Sequence, residues 1–246
     1  MDLTHLTIVI PTYNEVENLP GLVSALFTLP LSDVQVLIVD DNSPDGTGEI
    51  ADRLAEESGG KLSVIHRSGK LGLGSAYIQG FRRAIDNGAA AVCQMDADFS
   101  HPPELLPMMF AELQTCDLAM GSRYISGGGV DRNWPFWRQF LSSFGNLYSR
   151  LILGISVRDV TGGYRLWRST ALQNMPLERV RSNGYAFQVE MAYLAHRLGY
   201  SIREIPFYFA DRTRGGSKMS IQIQVEAALR VWQMRFNYRD VKPARF

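Results

Sequence analysis

In its first half the chain passes three times through a β-branched strand, a polar loop and an amphipathic helix. Leu6-Thr7-Ile8-Val9-Ile10 is closed by Pro11-Thr12-Tyr13-Asn14-Glu15, after which Leu19, Leu22, Val23, Leu26 and Phe27 recur at helical spacing. The succession repeats in 34–39, the loop from Asp40 to Thr47, and a helix through Ile50 and Leu54. A third strand over 62–65 is followed by the glycine loop Gly69 to Ser75 and a helix carrying Tyr77, Ile78, Phe81 and Ala84. Strands alternating with helices at this interval predict an α/β fold: a mostly parallel, Rossmann-like sheet with right-handed crossovers and helices on both faces. A ligand pocket then belongs outside the carboxyl ends of the strands.

The second half departs from simple alternation. Ala89 to Cys93 reads as a strand buried on both faces, and it ends in Met95-Asp96-Ala97-Asp98-Phe99-Ser100-His101-Pro102. Residues 117–124 give a further strand ending at Arg123, followed by Gly127-Gly128-Gly129, read as a flexible loop. Trp137, Phe140, Leu141, Phe144, Leu147, Tyr148, Leu151 and Ile155 form a helical stripe headed by Trp134-Pro135-Phe136-Trp137. The stripe predicts a buried helix whose middle packs on the core and whose aromatic start is left for an interface. A helix from Asn183 through Glu190 and Leu194, an extended segment over 202–209, and a last amphipathic helix with Ile221, Val225, Leu229, Trp232 and Phe236 complete the chain.

At 246 residues and 46% hydrophobic the chain fits one domain with a sizeable core. We divide that single domain, 1–246, into a nucleotide-binding half (1–125), an acceptor half (126–220) with a basic loop at 211–220, and a terminal helix and tail (221–246). Lys plus Arg and Asp plus Glu both number 25, so total charge gives no nucleic-acid footprint. Cys93 and Cys116 lack metal-ligand spacing and read as core thiols of a reducing compartment. No apolar run approaches the roughly 18 residues of a membrane span, and the start shows no signal-peptide pattern. The expected location is cytoplasmic, with any membrane contact at the surface.

On a parallel sheet four segments meet at one rim: Pro11 to Glu15, Asp40 to Asp45, Asp96 to His101, and Arg123. Two aspartates one residue apart at a strand end suit a shared Mg²⁺ or Mn²⁺ that holds substrate phosphates. Alternatively, Asp96 closes a turn and Asp98 caps the helix starting near Pro102. Tyr13 offers a ring face to a base and Glu15 an acceptor for ribose or base donors, the alternative being a helix N-cap by Asn14. Asp41 can accept a nucleobase N–H within a turn built by Asn42, Pro44 and Gly46, with Asp45 on the structural side. Gly72 and Gly74 fit a tight turn against the sheet, since the loop matches neither GxxxxGK[ST] nor GxGxxG. His101 reads as a turn or capping histidine, and Glu190 as a satisfied helix carboxylate. The segment Asp211 to Lys218 sets Arg212, Arg214 and Lys218 around Gly215-Gly216, either a basic loop that folds over phosphates or a solvated one.

The ordered set PTYNEVENLP, IVDDNSPDGT, KLGLGSAYIQGF, MDADFSHPPE, GSRY, DVTGGYRLWR, NGYAFQVEM and DRTRGGSKM resembles the dolichol- and polyprenol-phosphate mannose synthases, inverting glycosyltransferases of the GT-A fold. The resemblance implies transfer of mannose from GDP-mannose to a polyprenyl phosphate. It implies that Pro11, Tyr13, Glu15, Val39 and Asp41 hold guanosine, Asp96 and Ala97 the nucleotide near the ribose, and Asp98 the metal, with Ser100 standing where some members carry Gln. Arg123, Arg212 and Lys218 then contact phosphates and, with Asp98, carry catalysis. Some relatives continue into transmembrane helices; here attachment to the cytoplasmic face of a membrane would be peripheral or through an anchoring partner. Two other readings remain: a lipid-phosphate glycosyltransferase using a UDP-sugar, and a non-catalytic sugar-nucleotide sensor.

Overall fold

The computed structural model describes residues 4–210 and 221–243, apart from the side chains of 221–227. In chain order its elements are β1 (His5–Thr12), α1 (Leu19–Phe27), β2 (Asp33–Asp40), α2 (Thr47–Glu57), β3 (Leu62–His66), α3 (Leu73–Asp86), β4 (Ala91–Gln94), α4 (Leu106–Glu112) and β5 (Leu118–Ser122). There follow β6 (Gly129–Val130), α5 (Phe136–Leu153), β7 (Arg165–Arg168), α6 (Ser169–Gln173), α7 (Gly184–Arg197), β8 (Ile202–Pro206), β9 (Tyr208–Phe209) and α8 (Ile221–Asn237).

Seven strands form one sheet in the order β3-β2-β1-β4-β7-β5-β8. Every neighbouring pair is parallel except those of β7, which runs against both β4 and β5. Two reversals restore direction, so β4 and β5 end at the same edge as β1 and β2. That edge carries the loops expected to form the site. The β1–β2 register pairs Pro11 with Val39 and Thr12 with Asp40, which brings the first two loops side by side.

Apolar side chains from alternate strand positions fill two layers. Val9, Phe81, Trp167 and Phe187 lie in the layer under α3 and α7, while Ile8, Ile10, Leu22, Leu106 and Met109 lie in the layer under α1 and α4. Glu190 of α7 is satisfied as expected: it accepts from the Tyr238 hydroxyl at 2.7 Å and from the Ser182 amide at 2.9 Å. Burial and this hydrogen bond push the Tyr238 phenol well above its usual pKa.

Two expectations are overturned. Gly129–Val130 is not a loose loop but pairs with Tyr208–Phe209 in a small parallel ribbon. More consequentially, α5 is not a buried helix. Its apolar stripe faces outward, with Phe140 57% and Leu151 73% exposed, whereas Asn146 on the other side is 3% exposed. Its inward face is polar because it bonds polar partners: Ser142 accepts from the Tyr124 hydroxyl at 2.6 Å, and Asn146 donates to the Thr161 hydroxyl at 2.9 Å.

Gly80 marks how closely α3 approaches the sheet. A Cβ there would lie 2.3 Å from Cγ1 of the fully buried Val9. Helix propensity favours Gly80→Ala by about 1 kcal/mol, while overpacking a closed core costs about 1–3 kcal/mol. We therefore expect a net loss of stability, seen as a lower urea midpoint; a raised midpoint would mean that α3 can move off β1.

Candidate functional site

The first two loops are tied together before any ligand arrives. The Asp45 carboxylate accepts from the Thr47 amide and hydroxyl at 3.0 and 2.6 Å and from the Val16 amide at 3.2 Å. Partial burial works against its charge, but these hydrogen bonds prevail and hold its pKa below the ordinary value. Asp45 is thus structural, as read from the sequence. Glu15 accepts from the Asn18 side-chain amide at 2.8 Å, while its own N–H donates to the Thr47 hydroxyl at 2.9 Å. Asn14 does not cap α1; it turns the chain in the left-handed region at φ 63°.

Asp41 has an unforeseen partner, Arg67. The two form a buried ion pair, and Arg67 also donates to the Ser75 hydroxyl at 2.6 Å. The other Asp41 oxygen accepts from the Gly72 amide at 3.0 Å. A nucleobase N–H would therefore meet remaining lone pairs of an oriented carboxylate. Gly72, at φ 99°, serves the turn as expected, but Gly74 packs on the start of α7 and the residues before it rather than on the sheet: a Cβ there would stand 2.5 Å from the Ser182 carbonyl oxygen and 2.9 Å from the Phe187 ring. Lys70 in the same loop places its ammonium 3.7 Å from the centre of the Tyr13 ring. Arg67 precedes and Lys70 lies within a glycine loop matching no phosphate-loop pattern, so only their charge beside the glycines could have drawn attention to them.

Beyond β4 the chain folds into a compact turn. Asp96 accepts from the Tyr77 hydroxyl at 3.0 Å, and burial together with the charge of Asp96 raises the Tyr77 pKa well above the ordinary phenol value, so this proton stays in place. Ala97 is buried, and Phe99 takes a left-handed backbone at φ 60°. Asp98 accepts from the Ser100 amide at 3.1 Å, whereas the short helix after Pro102 carries no side-chain cap, so the capping alternative does not describe this turn. His101 is a turn histidine, as its sequence reading holds, tied back to Asp96 at the start of the turn. Its ring is buried and stacked on Tyr164 at 4.9 Å, and Nδ1 accepts the Asp96 N–H at 3.0 Å, which assigns the proton to Nε2. Burial lowers its pKa despite the neighbouring Asp96 and Asp98, which keeps the imidazole neutral.

Among the described residues no group of three or more His, Cys, Asp and Glu side chains could by itself hold a metal. Asp96 and Asp98 do fit the oxygen-poor end of a shared site, in which Mg²⁺ or Mn²⁺ takes one or two carboxylates and fills its shell with substrate oxygens and water. The buried Ser100 hydroxyl has no hydrogen-bond partner among the described residues.

Arg123, at the end of β5, is buried and clamped by Asp159, a residue the sequence reading quoted only within a motif. Its Nε and Nη2 donate to the two Asp159 oxygens at 2.7 Å each, and its backbone N–H donates to Asp159 at 2.9 Å. Burial opposes the charge of each partner, and the pairing outweighs it, raising the Arg123 pKa and lowering that of Asp159. Nη2 also donates to Thr161 at 2.9 Å. Among the described residues Nη1 has no hydrogen-bond partner, and the guanidinium lies 5.4 Å from the centre of the Phe209 ring. Arg212 and Lys218 lie outside the described residues, as does the whole basic loop 211–220.

The Glycosyl transferase family 2 model matches residues 7–175, which span β1 through the rim to α6. The chain belongs to that family. It is 44% identical over 231 residues to the polyprenol monophosphomannose synthase of Mycolicibacterium smegmatis, covering 93% of this chain and 86% of that protein. It is 46% identical over 224 residues to the undecaprenyl-phosphate mannosyltransferase of Micrococcus luteus, covering 91% and 90%. Among solved structures, mannosyl-3-phosphoglycerate synthase from Rubrobacter xylanophilus matches with TM-score 0.67 at 16% identity, over 96% of this chain and 74% of that one. Glucosyl-3-phosphoglycerate synthase from Mycobacterium tuberculosis, solved with Mn²⁺, UDP and its glucosylated product, matches with TM-score 0.65 at 16% identity, over 98% and 82%. These likenesses bear on the fold, which is the GT-A type that the motif order implies.

Removing charge from Asp159 leaves a buried guanidinium without its counter-ion. Asp159→Asn should cost about 3–5 kcal/mol of stability, read from denaturant unfolding. The lowered carboxyl pKa also fixes the pH dependence. Its contribution is complete above the unfolded-chain pKa of about 4 and is lost as pH falls through the lower folded value. The variant should therefore lose less stability on acidification than the parent chain does.

Proposed function

We propose that this protein transfers mannose from GDP-mannose to a polyprenyl phosphate with inversion, yielding a polyprenyl β-mannosyl phosphate and GDP, and that it works peripherally at the cytoplasmic face of a membrane. The observation that carries the reading is the 44–46% identity, over more than nine-tenths of the chain, to two enzymes named for mannosyl transfer to polyprenyl phosphates. The rim supports the chemistry independently. It has an oriented carboxylate at its nucleotide end, two aspartates in the middle and a buried arginine beyond them.

A phosphate monoester is already anionic at neutral pH, so no general base is required to generate the nucleophile. One acceptor oxygen attacks the anomeric carbon in line, forming the new C–O bond as the bond to the GDP oxygen breaks, and GDP leaves with that electron pair. The protein's task is to bring anions together and align them. In this reading Pro11, Tyr13, Glu15, Val39 and Asp41 receive the guanosine, and Asp96 and Ala97 face the ribose side. Nη1 of Arg123 meets a phosphate, as Arg212 and Lys218 would from the basic loop. Asp98, with Asp96, would hold Mg²⁺ or Mn²⁺, which when bound supplies charge neutralisation at the donor diphosphate.

Two measurements test this. Purified protein given GDP-mannose, UDP-glucose or UDP-N-acetylglucosamine, with Mg²⁺ or Mn²⁺ and short-chain polyprenyl phosphate, should label lipid from GDP-mannose alone; labelling from a UDP-sugar would favour the rival donor. Asp98→Ala should fold normally by circular dichroism and turn over about a hundredfold more slowly. Near-parental turnover would remove Asp98 from the metal assignment.

A further inference from the structure

Helix α5 sits in the fold with its polarity reversed. Ser142, Asn146 and Ser149 face inward, while Phe136, Trp137, Phe140, Phe144, Leu147 and Leu151 face outward and at least half exposed. Outward rings stack along the helix, Phe140 on Phe144 at 6.0 Å and Phe144 on Tyr148 at 6.2 Å. The Tyr148 hydroxyl then donates to the Ala228 carbonyl of α8 at 3.2 Å, and Arg235 of α8 bonds the Ile152 carbonyl of α5. The partner helix continues the apolar surface with Leu229, Trp232 and Phe236, all exposed. An outward stripe of this length, on two helices packed together, exceeds the scattered apolar residues of ordinary protein surfaces.

Charge decides what covers it. Across its 18 residues α5 contains Arg138 and Arg150 and no acidic residue, and α8 contains Arg230 and Arg235 against one acidic residue, Glu226. Arg138 lies over the Trp134 ring at 3.8 Å and Arg239 over the Phe236 ring at 4.3 Å, so cations border the aromatic residues at both ends of the surface. Outward Trp and Phe flanked by arginines is the composition of helices that lie in the boundary between anionic headgroups and acyl chains. No helix among the described residues is long and apolar enough to cross a bilayer, so contact of this kind would be made along the surface.

The inward face ties this surface to the chemistry. Asn146 donates to the Thr161 hydroxyl at 2.9 Å and accepts from the Thr161 amide at 3.2 Å, and that same hydroxyl accepts from Arg123 at 2.9 Å. About one helix diameter, ~10 Å, thus separates the outward stripe from the arginine assigned to a phosphate. We propose that the α5–α8 face docks the protein on an anionic bilayer, setting the Arg123 side of the rim at the headgroup plane where a prenyl-anchored phosphate resides. The choice of bilayer over other partners rests on the acceptor proposed above being lipid-borne.

Flotation with vesicles of neutral phosphatidylcholine, alone or with 30% phosphatidylglycerol as roughly a typical anionic fraction, tests the surface separately from the reaction. Binding should rise with the anionic lipid and fall with salt. A Phe136→Ser, Trp137→Ser, Phe140→Ser variant should lose flotation at least tenfold while melting like the parent; Trp134 is kept because it is 7% exposed and packs on Phe209. Leu147→Ser with Leu151→Ser provides a second variant should the first unfold. Both should retain turnover on a short, water-soluble prenyl phosphate within about twofold and lose at least tenfold on a long-chain acceptor in vesicles. Flotation of both variants at the parental level would overturn the proposal. So would a parent chain that fails to float and is instead a dimer by light scattering, converted to monomer by either variant, since a second copy would then cover the face. A parent chain that floats and a variant that does not, with no mannosyl lipid formed by either, would support docking and refute only the assigned reaction.

Discussion

Taking the Arg123 guanidinium and the Asp159 carboxylate out of water costs several kcal/mol for each ion, and only close, fully hydrogen-bonded pairing offsets that penalty. The structure supplies such pairing and builds outward from it. Asp159 receives both side-chain donors and the backbone N–H of Arg123, while its own N–H and that of Arg158 donate to Glu204 on β8 at 3.0 and 2.8 Å. Glu204 also accepts from Ser122 at the end of β5 at 2.7 Å. One pair therefore joins two adjacent strand ends to the segment that precedes β7, and through Thr161 it reaches α5. The orientation of the acceptor half depends on this junction, and so does the aim of Arg123.

The first half was legible because each of its signals is local. A β-branched run, a proline or asparagine turn and a 3.6-residue apolar repeat each specify their own element, and right-handed crossovers leave one arrangement for the strands. Convergence of the Pro11, Asp41 and Asp96 loops followed from direction alone. What direction does not reveal is pairing between side chains far apart in sequence. Arg67 neutralises Asp41 across 26 positions, and Asp159 meets Arg123 across 36. Neither contact has a spacing rule, so Asp41 read as an acceptor awaiting a ligand and Arg123 as an open cation. His101 was legible as a turn residue, its Nδ1 accepting the Asp96 N–H, but only the packed fold brings Tyr164 over its ring.

Helix α5 was misread for a different reason. Periodicity reports that a helix has an apolar side without saying what that side contacts, because a protein core and a lipid boundary reward the same residues. The polar side held the discriminating information. Ser142, Asn146 and Ser149 recur at spacings of three and four, as an inward-facing polar row would, and carry no charge, as residues buried against hydrogen-bonding partners should. A solvent-facing row would ordinarily have carried Lys or Glu. The absence of acidic residues from α5 pointed the same way.

Under the proposed reaction, charge balance gives a reason for the basic segment that follows β9 in the sequence. In the proposed reaction a donor diphosphate, an acceptor phosphate, Asp96 and Asp98 bring about six negative charges into one space. Arg67 and Arg123 contribute little against this total, since Asp41 and Asp159 already balance them within the protein. Their role is to aim hydrogen-bonding groups. In that reaction Lys70 and a divalent cation would cover half of the excess, and the sequence of 211–220 carries three further cations, Arg212, Arg214 and Lys218. Fixed positive charge on the rigid rim would repel the metal before substrate arrives and hold GDP after transfer. Under the proposed reaction the charge of Arg212, Arg214 and Lys218 would be required only while both phosphates occupy the site.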